Sequence, residues 1–364
     1  MSESVDLLLK LIRLAIGTET DYSFPEEVNW REVCDLSFSQ GVSSIAVDGL
    51  QVLMENNPDA CNTLDLPENE SLKYEWFAST FSAEQNYATQ LEVVSKLKEV
   101  FGKEGLPFMI MKGIALSKYY PIPEHRECGD VDIYLGKSYK KSNLLLKENG
   151  IGYDEYYYRH SASHINGIMV ENHCVLCDTR GPKSTKFLEQ QLETLADKCL
   201  SKQSGQVYPS PDFNALFLPW HVSAHFAFER VTLRHLLDWA LFIWKDGARI
   251  DEGLFLEAQN KYKFGYSAFS KILTALAIEK FHIPTEALPA FLLSSAESVD
   301  NKLCTKVFDY MFIGDPRERD ERVWKFRLNN VRRILSESWK YRQLYNMSAL
   351  RFLMYKVKGV IEGD

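Results

Sequence analysis

Residues 107–135 read PFMIMKGIALSKYYPIPEHRECGDVDIYL, and the fold turns on this stretch. The run 107–111 is short, apolar and bounded by Gly105 and Gly113, the pattern of a buried strand. It runs straight into Lys112-Gly113, after which 114–120 has the length of a two-turn helix stopped by Pro121. Residues 131–135 read as a second strand. On a strand, residues two apart share a face, so Asp130 and Asp132 project side by side while Val131 and Ile133 turn to packing. Adjacent carboxylates repel each other. A divalent cation resolves that, and Mg²⁺ favours one or two carboxylates plus phosphate oxygens. A water-facing strand edge carries the same Asp-x-Asp, so the surroundings decide between the two readings.

Upstream, Gly113 at a strand-to-helix junction lets a phosphate approach backbone N–H groups, and a helix N-terminus favours negative charge. Lys112 adds a compact cation for a triphosphate. An ordinary strand-to-helix turn has the same appearance. Downstream, 139–149 reads as a helix ended by Gly150, and 151–159 and 168–176 as two further strands, with a turn near Asn166-Gly167. In MVENHCVL (169–176), alternation puts Glu171, His173 and Val175 on one face and Val170, Asn172, Cys174 and Leu176 on the other. An acid in an otherwise apolar strand needs a partner or a metal. If this strand lies beside 131–135, three carboxylates meet, and such a cluster can clamp two metals about 3.5–4 Å apart for in-line displacement at phosphorus.

Around this core the periodicity is helical. On the N-terminal side it predicts a helix over 5–16, two more within 30–54 broken near Gly41, and a long one over 72–101 with Phe77, Phe81, Ala88, Leu91, Val94 and Leu97 at helical spacings. From 184 onward, helices are expected over 185–199, 212–228, 232–244, 254–262 and 267–281. Three more follow near 289–295, 302–312 and 322–342, the first opening on Pro289. The fold class is therefore α+β: a helical region 1–104, a small mixed-sheet core 105–183, and a helical region 184–364 with a basic, aromatic tail.

The composition agrees with folded units. Of 364 residues 45% are hydrophobic and 13% aromatic, ample apolar area for cores, which excludes a disordered chain. The apolar runs are too short to cross a bilayer, which takes about 20 residues. Glu3 and Asp6 precede the first apolar run and no small-residue cleavage pattern follows, which argues against a signal peptide. Seven scattered cysteines read as reduced thiols in a cytoplasm. The net charge of −8 shows no general nucleic-acid footprint, so a nucleic-acid partner is not favoured. Between Arg317 and Lys358, however, 12 Lys or Arg face four Asp or Glu, a local polyanion surface in principle.

The order strand, Lys-Gly, helix, Asp-x-Asp strand, acid-bearing strand resembles the nucleotidyltransferase superfamily, the fold of DNA polymerase beta and of antibiotic nucleotidyltransferases. More closely, 111–135 resembles an uncharacterised nucleotidyltransferase family whose core runs Leu-Lys-Gly, Tyr-Pro, Arg-x-x-Gly-Asp-x-Asp. The matching positions are Lys112, Gly113, Tyr120, Pro121, Arg126, Gly129, Asp130 and Asp132. Glu171 and His173 are similar to that family's valine–glutamate–leucine–histidine strand, and either His160 or His164 matches a preceding histidine. His225, Arg234 and Asp238 are similar to its helical stretch of a His, a basic residue and Leu-x-Asp, so the likeness spans roughly 30–300.

The resemblance implies transfer of a nucleotidyl group from a nucleoside triphosphate, with ATP as one donor, to an unidentified hydroxyl, with loss of pyrophosphate. The helical regions would form the acceptor side of the cleft. It implies Asp130, Asp132 and Glu171 as catalytic residues and ligands of two Mg²⁺ ions, with Mn²⁺ as the alternative metal. Lys112, Gly113, Arg126 and Gly129 fall to the nucleotide, Lys112 and Arg126 offsetting charge on the phosphates. His160, His164, His173, His225, Arg234 and Asp238 fall to substrate contact or orientation. One departure stands out: where the superfamily has a second Gly or a Ser after the first glycine, this chain has Ile114 and Ala115, so no hydroxyl is on hand for a phosphate. The rival reading is a non-catalytic protein that keeps the fold and binds a nucleotide or partner.

Other signals carry less. Cys174 and Cys177 are three apart on an expected strand, hence on opposite faces, and read as small buried hydrophobes. His221 and His225 are one helical turn apart but lack the Glu of a zinc-protease motif, so helix packing beside the cleft is expected. The stretch YYYRHSASH (156–164) reads as a lid or a polar surface loop. In the tail, Trp324, Phe326, Trp339, Tyr341 and Tyr345 are expected to pack inward, with Arg322, Arg332, Arg333, Lys340 and Arg342 as a solvated face.

Overall fold

The computed structural model describes all residues except 1, 26, 63, 65, 157–158, 178–181, 202–205, 314–322 and 364. Its centre is a six-stranded mixed sheet. Strand β1 (Phe108–Met111) pairs antiparallel with β2 (Asp130–Tyr134), which pairs parallel with β5 (Ile168–His173). Beyond β5 lie β4 (His160–Ile165) and β3 (Tyr153–Tyr156), both antiparallel to their neighbours, and β6 (Gln206–Val207) closes the other edge parallel to β1. The strand order is β3-β4-β5-β2-β1-β6. The β4–β5 hairpin turns on Asn166 and Gly167, both with positive φ (51° and 81°), the geometry whose twist matches paired strands.

Three expectations for this sheet need correction. Among the described residues the strand expected over 151–159 is β3 alone, and the stretch expected as a lid or surface loop contains β4. Its alternation was masked because the inward-facing rungs are serines: Ser161 Oγ donates to Asn143 Oδ1 (2.8 Å), a polar pairing that replaces apolar packing. The strand expected over 168–176 stops at His173. Beyond it, the N–H groups of Leu176 and Cys177 donate to the Glu189 carboxylate (2.9 and 2.6 Å), which turns the chain away from the sheet.

One sheet face is covered by α4 (Glu70–Gly102) and α6 (Tyr139–Glu148). There Phe108, Ile110, Val131, Ile133 and Val170 pack with Val93, Leu97 and Leu146. Each such burial contributes about 1.5–3 kcal/mol, so this face is where the sheet is secured. The spacing in α4 misleads in part: Phe77, Phe81, Ala88 and Leu91 lie on the exposed side, while Trp76, Val93, Val94, Leu97 and Phe101 are buried. A 33-residue helix passes several neighbours, so one apolar stripe does not serve its whole length.

A second, larger apolar cluster unites both ends of the chain. The N-terminal helices α1 (Glu3–Ile16), α2 (Trp30–Gln40) and α3 (Ser43–Asn56) share it with α7 (Lys183–Leu200), α8 (Pro211–Phe228), α9 (Leu233–Asp246), α10 (Glu252–Lys261) and α11 (Tyr266–Phe281). The pairing is polar as well: Thr18 Oγ1 donates to Phe281 O (2.7 Å), and Gln40 bridges Met311 O and the Leu233 N–H. Helices α12 (Ala290–Glu297), α13 (Asn301–Tyr310), α14 (Val323–Ser336), α15 (Ser338–Leu344) and α16 (Ala349–Gly363) complete the chain. Pro289 caps α12 rather than forming its first residue. The tail follows the milder reading for Tyr341, Tyr345, Arg332 and Arg342; Trp339 packs partly buried against the core. Lys340 departs from it: the side chain is fully buried, 3.4 Å from the Tyr310 ring and 2.9 Å from Glu337. The side chains of Arg322, Trp324 and Phe326 lie outside the described residues.

Candidate active site

The sheet face opposite α4 and α6 opens, at the C-terminal end of β1, onto a cavity of about 670 Å³ walled on its far side by α8 and α9. The strand register assembles its floor. Asp132 on β2 is paired across to Met111 on one side and Glu171 on the other, and Ala162 follows on β4. His173 is paired with His160. Asp130, Asp132, Glu171, His160 and His173 therefore all face the cavity. Val131, Ile133 and Val170 face the α4 core, and Asn172 donates to Ser142 and Asn143 on α6. Three carboxylates from two stretches of chain thus line one cavity.

Lys112 occupies the midst of these acids. Its Nζ lies 2.7 Å from Asp132 Oδ1, and His173 Nε2 lies 2.7 Å from the same oxygen and 3.3 Å from Glu171 Oε2. Burial opposes charge on Asp132, yet Lys112 and His173 hold its carboxyl well below the usual range. Glu171 is lowered too, against burial, by His173. Asp130 is displaced the other way: burial and the neighbouring Asp132 raise its carboxyl. His173 is raised despite burial because both acids favour its proton, whereas burial lowers His160. The carboxylates thus have unequal proton affinities although they share one site.

The backbone at Lys112-Gly113 is unusual. Lys112 has φ 47°, ψ −147°, a strained conformation for a side-chain-bearing residue, held by the contact to Asp132. Gly113 has φ 33°, and a Cβ there would come within 2.6 Å of Cys128 Sγ. Glycine is required by this close approach of the 126–129 segment, a reason independent of any phosphate. The following helix α5 (Gly113–Ser117) has five residues, shorter than the two turns expected over 114–120.

Segment 126–129 is pinned from three helices. Arg126 Nε and Nη2 donate to the two Asp238 carboxylate oxygens on α9 (2.8 Å each), and Tyr120 Oη donates to Asp238 Oδ1 (2.8 Å). Glu127 accepts from the N–H groups of Ser43 and Ser44 at the start of α3 (2.6 and 3.2 Å), and its carbonyl accepts from Arg234 Nη1 (3.0 Å). Asn86 and Gln90 on α4 both donate to Cys128 O. These bonds fix where Gly129 and Asp130 enter β2.

Of the residues singled out in the sequence, Lys112, Gly113, Arg126, Gly129, Asp130, Asp132, His160, Glu171, His173, His225, Arg234 and Asp238 all line this cavity. His164 does not: it is exposed four residues further along β4, whereas His160 lines the cavity with its Nε2 3.6 Å from Glu171 Oε1. Sequence reading passed over Arg159, His235 and Glu229 as site residues. Arg159 lines the cavity with no salt bridge among the described residues, and its Nε has no partner. In the sequence it stands beside His160, within the stretch that reads as a lid or a polar surface loop. Neither Cys174 nor Cys177 is in a disulfide.

A mixed sheet carrying Asp-x-Asp on one strand and a third acid in register on its parallel neighbour, beneath a strand–Lys-Gly–helix turn, is the arrangement of a nucleotidyltransferase. The chain belongs to the uncharacterised nucleotidyltransferase family, whose sequence model matches residues 26–276. No curated protein and no solved structure matches it. Membership supports nucleotidyl transfer as the general activity. Among the described residues, no helix is long and apolar enough to cross a membrane.

Proposed function

We propose that the chain is a Mg²⁺-dependent nucleotidyltransferase in which Asp130, Asp132 and Glu171 form the metal and triphosphate site. The observation that carries this is the register Asp132↔Glu171 on parallel strands, with Asp130 two residues back on the same face. The carboxylates suit a hard divalent cation: ligand oxygens of Asp132 and Glu171 lie within 4.8 Å of each other, and a cationic group, Lys112 Nζ, is already accommodated at 2.7 Å from Asp132. When bound, Mg²⁺ supplies positive charge to the triphosphate and acidifies the acceptor hydroxyl.

The protein's own groups do the rest. Lys112, Arg159 and Arg234 present positive charge to the phosphates. Arg159 and Arg234 have no carboxylate partner among the described residues and so keep that charge for substrate. The acceptor oxygen bonds to the α-phosphorus as the bond from that phosphorus to the pyrophosphate oxygen breaks. The acceptor's proton leaves to a carboxylate of the cluster. His173 orients Asp132 and Glu171. Arg126 and Asp238, saturated by each other, hold the 126–129 segment and α9 together rather than touching phosphate. The wall from α8 and α9 forms the acceptor side.

The test is transfer of label from α-phosphate-labelled NTPs in Mg²⁺ to acceptors in a cell extract. Labelled product that disappears with Asp132→Asn supports the reading. Nucleotide binding without transfer across broad acceptor screens favours the non-catalytic alternative.

A further inference from the structure

Across the cavity from the acids, three imidazoles converge. His221 and His225 stand one turn apart on α8, and His235 lies in the first turn of α9. Their rings are in contact, with centroids 4.4 Å apart for His221–His225, 5.6 Å for His225–His235 and 6.2 Å for His221–His235. One nitrogen from each lies within 4.8 Å of the others. We propose that His221, His225 and His235 form a second metal site, selective for a borderline transition ion such as Zn²⁺, with its remaining coordination position open to the cavity.

Three observations support it. First, His221 stacks on Phe217 in the cavity wall, and neither of its ring nitrogens has a hydrogen-bond partner among the described residues, so a lone pair is left open to a ligand. Second, His225 Nδ1 is 2.7 Å from Glu229 Oε2. A carboxylate on the far nitrogen fixes the tautomer and leaves Nε2 with its lone pair, as in the outer shell of zinc sites. Third, His235 Nδ1 is 3.0 Å from Thr232 Oγ1, which can accept its proton and free Nε2 for the metal. That tautomer gives up the Thr232 N–H contact at 3.2 Å, a cost the metal bond must exceed.

The all-imidazole donor set separates this site from the acid cluster. Imidazole suits Zn²⁺, Co²⁺, Ni²⁺ and Cu²⁺, whereas Mg²⁺ seeks carboxylate and phosphate oxygen. Three protein ligands with a position left open is the form of a catalytic rather than a structural zinc site. The open position faces the cavity, where an oxygen of the acceptor substrate fits. Lys112 and Arg234 oppose a cation in this wall, and Glu229 on His225 offsets part of that repulsion.

The test uses the full chain stripped of metal, titrated calorimetrically with Zn²⁺ in excess Mg²⁺, and with Co²⁺ read by its visible absorption. One equivalent of Zn²⁺ is expected to bind, with a Co²⁺ spectrum of four- or five-coordinate intensity. His221→Ala, which breaks no hydrogen bond, and His225→Ala should each weaken binding at least tenfold. Asp132→Asn and His173→Ala should leave it within twofold. No stoichiometric binding, or loss in the Asp132 and His173 variants but not in His221→Ala, overturns the proposal. Because the readout is metal binding, failure here leaves the nucleotidyl-transfer reading standing, and loss of transfer in Asp132→Asn leaves this one standing.

Discussion

The Arg126–Asp238 pair offers the sharpest test of how the site is held. Both side chains are nearly inaccessible (6% and 9% exposed), joined by two bonds of 2.8 Å, with Tyr120 Oη on the same carboxylate. Replacing Arg126 by Met strands a buried carboxylate, and replacing Asp238 by Leu strands a buried guanidinium. Removing one partner of a buried pair costs about 3–5 kcal/mol. Asp238→Leu also deprives the Tyr120 hydroxyl of its acceptor, a further ~1–3 kcal/mol. The double variant removes both charges and leaves only Tyr120 unsatisfied, so its loss should be about 1–3 kcal/mol, less than either single change. Urea unfolding followed by far-ultraviolet circular dichroism reads all four proteins, and the coupling should be at least ~3 kcal/mol. Two single variants that each stay within about 1 kcal/mol of the parent while losing NTP affinity would refute the scaffold role and return Arg126 to the phosphates.

Three further outcomes are expected. Because Asp132 and Glu171 raise the His173 pKa, its proton competes with Mg²⁺ for the same oxygens. Mg²⁺ affinity should therefore rise between pH 6 and pH 8 (roughly the histidine range), with proton release measurable by calorimetry in buffers of different ionisation enthalpy. Gly113→Ala should destabilise by about 1–3 kcal/mol, since its Cβ meets Cys128 Sγ at 2.6 Å with φ at 33°, and adding Cys128→Ala should restore only the steric part in a thermal melt. Lys340, whose ammonium burial pushes down to about 8, binds fewer protons folded than unfolded between that value and its free value of about 10.4. Stability from this group should rise with pH across that window by something on the order of 3 kcal/mol, and the rise should be absent in Lys340→Met.

Much of the core was legible from residue order. The alternation in DVDIY and MVENH is a two-residue period, so which side chains share a face follows from the chain itself, and the hairpin at Asn166-Gly167 follows from the positive φ those residues tolerate. Helix positions from α7 to α13 followed likewise from apolar spacing, whereas the helix expected over 322–342 divides into α14 and α15, and α16 lies beyond any expected helix. What local pattern misses is a polar rung paired inside the fold. Strand β4 looked like a loop because Ser161 finds Asn143 only in the folded chain.

The sequence by itself determined the strand–Lys-Gly–helix turn and the facing of Asp130 with Asp132 and of Glu171 with His173, because backbone geometry sets these over a few residues. Only the tertiary structure decided that Glu171 lies in register with Asp132, that Lys112 turns back onto Asp132, and that Arg126 is taken up by Asp238. It alone brought His235 from α9 against His221 and His225. Those contacts join residues from 10 to more than 100 positions apart in a chain whose two ends share one core. Their geometry is set by how helices and sheet pack, which no local period encodes.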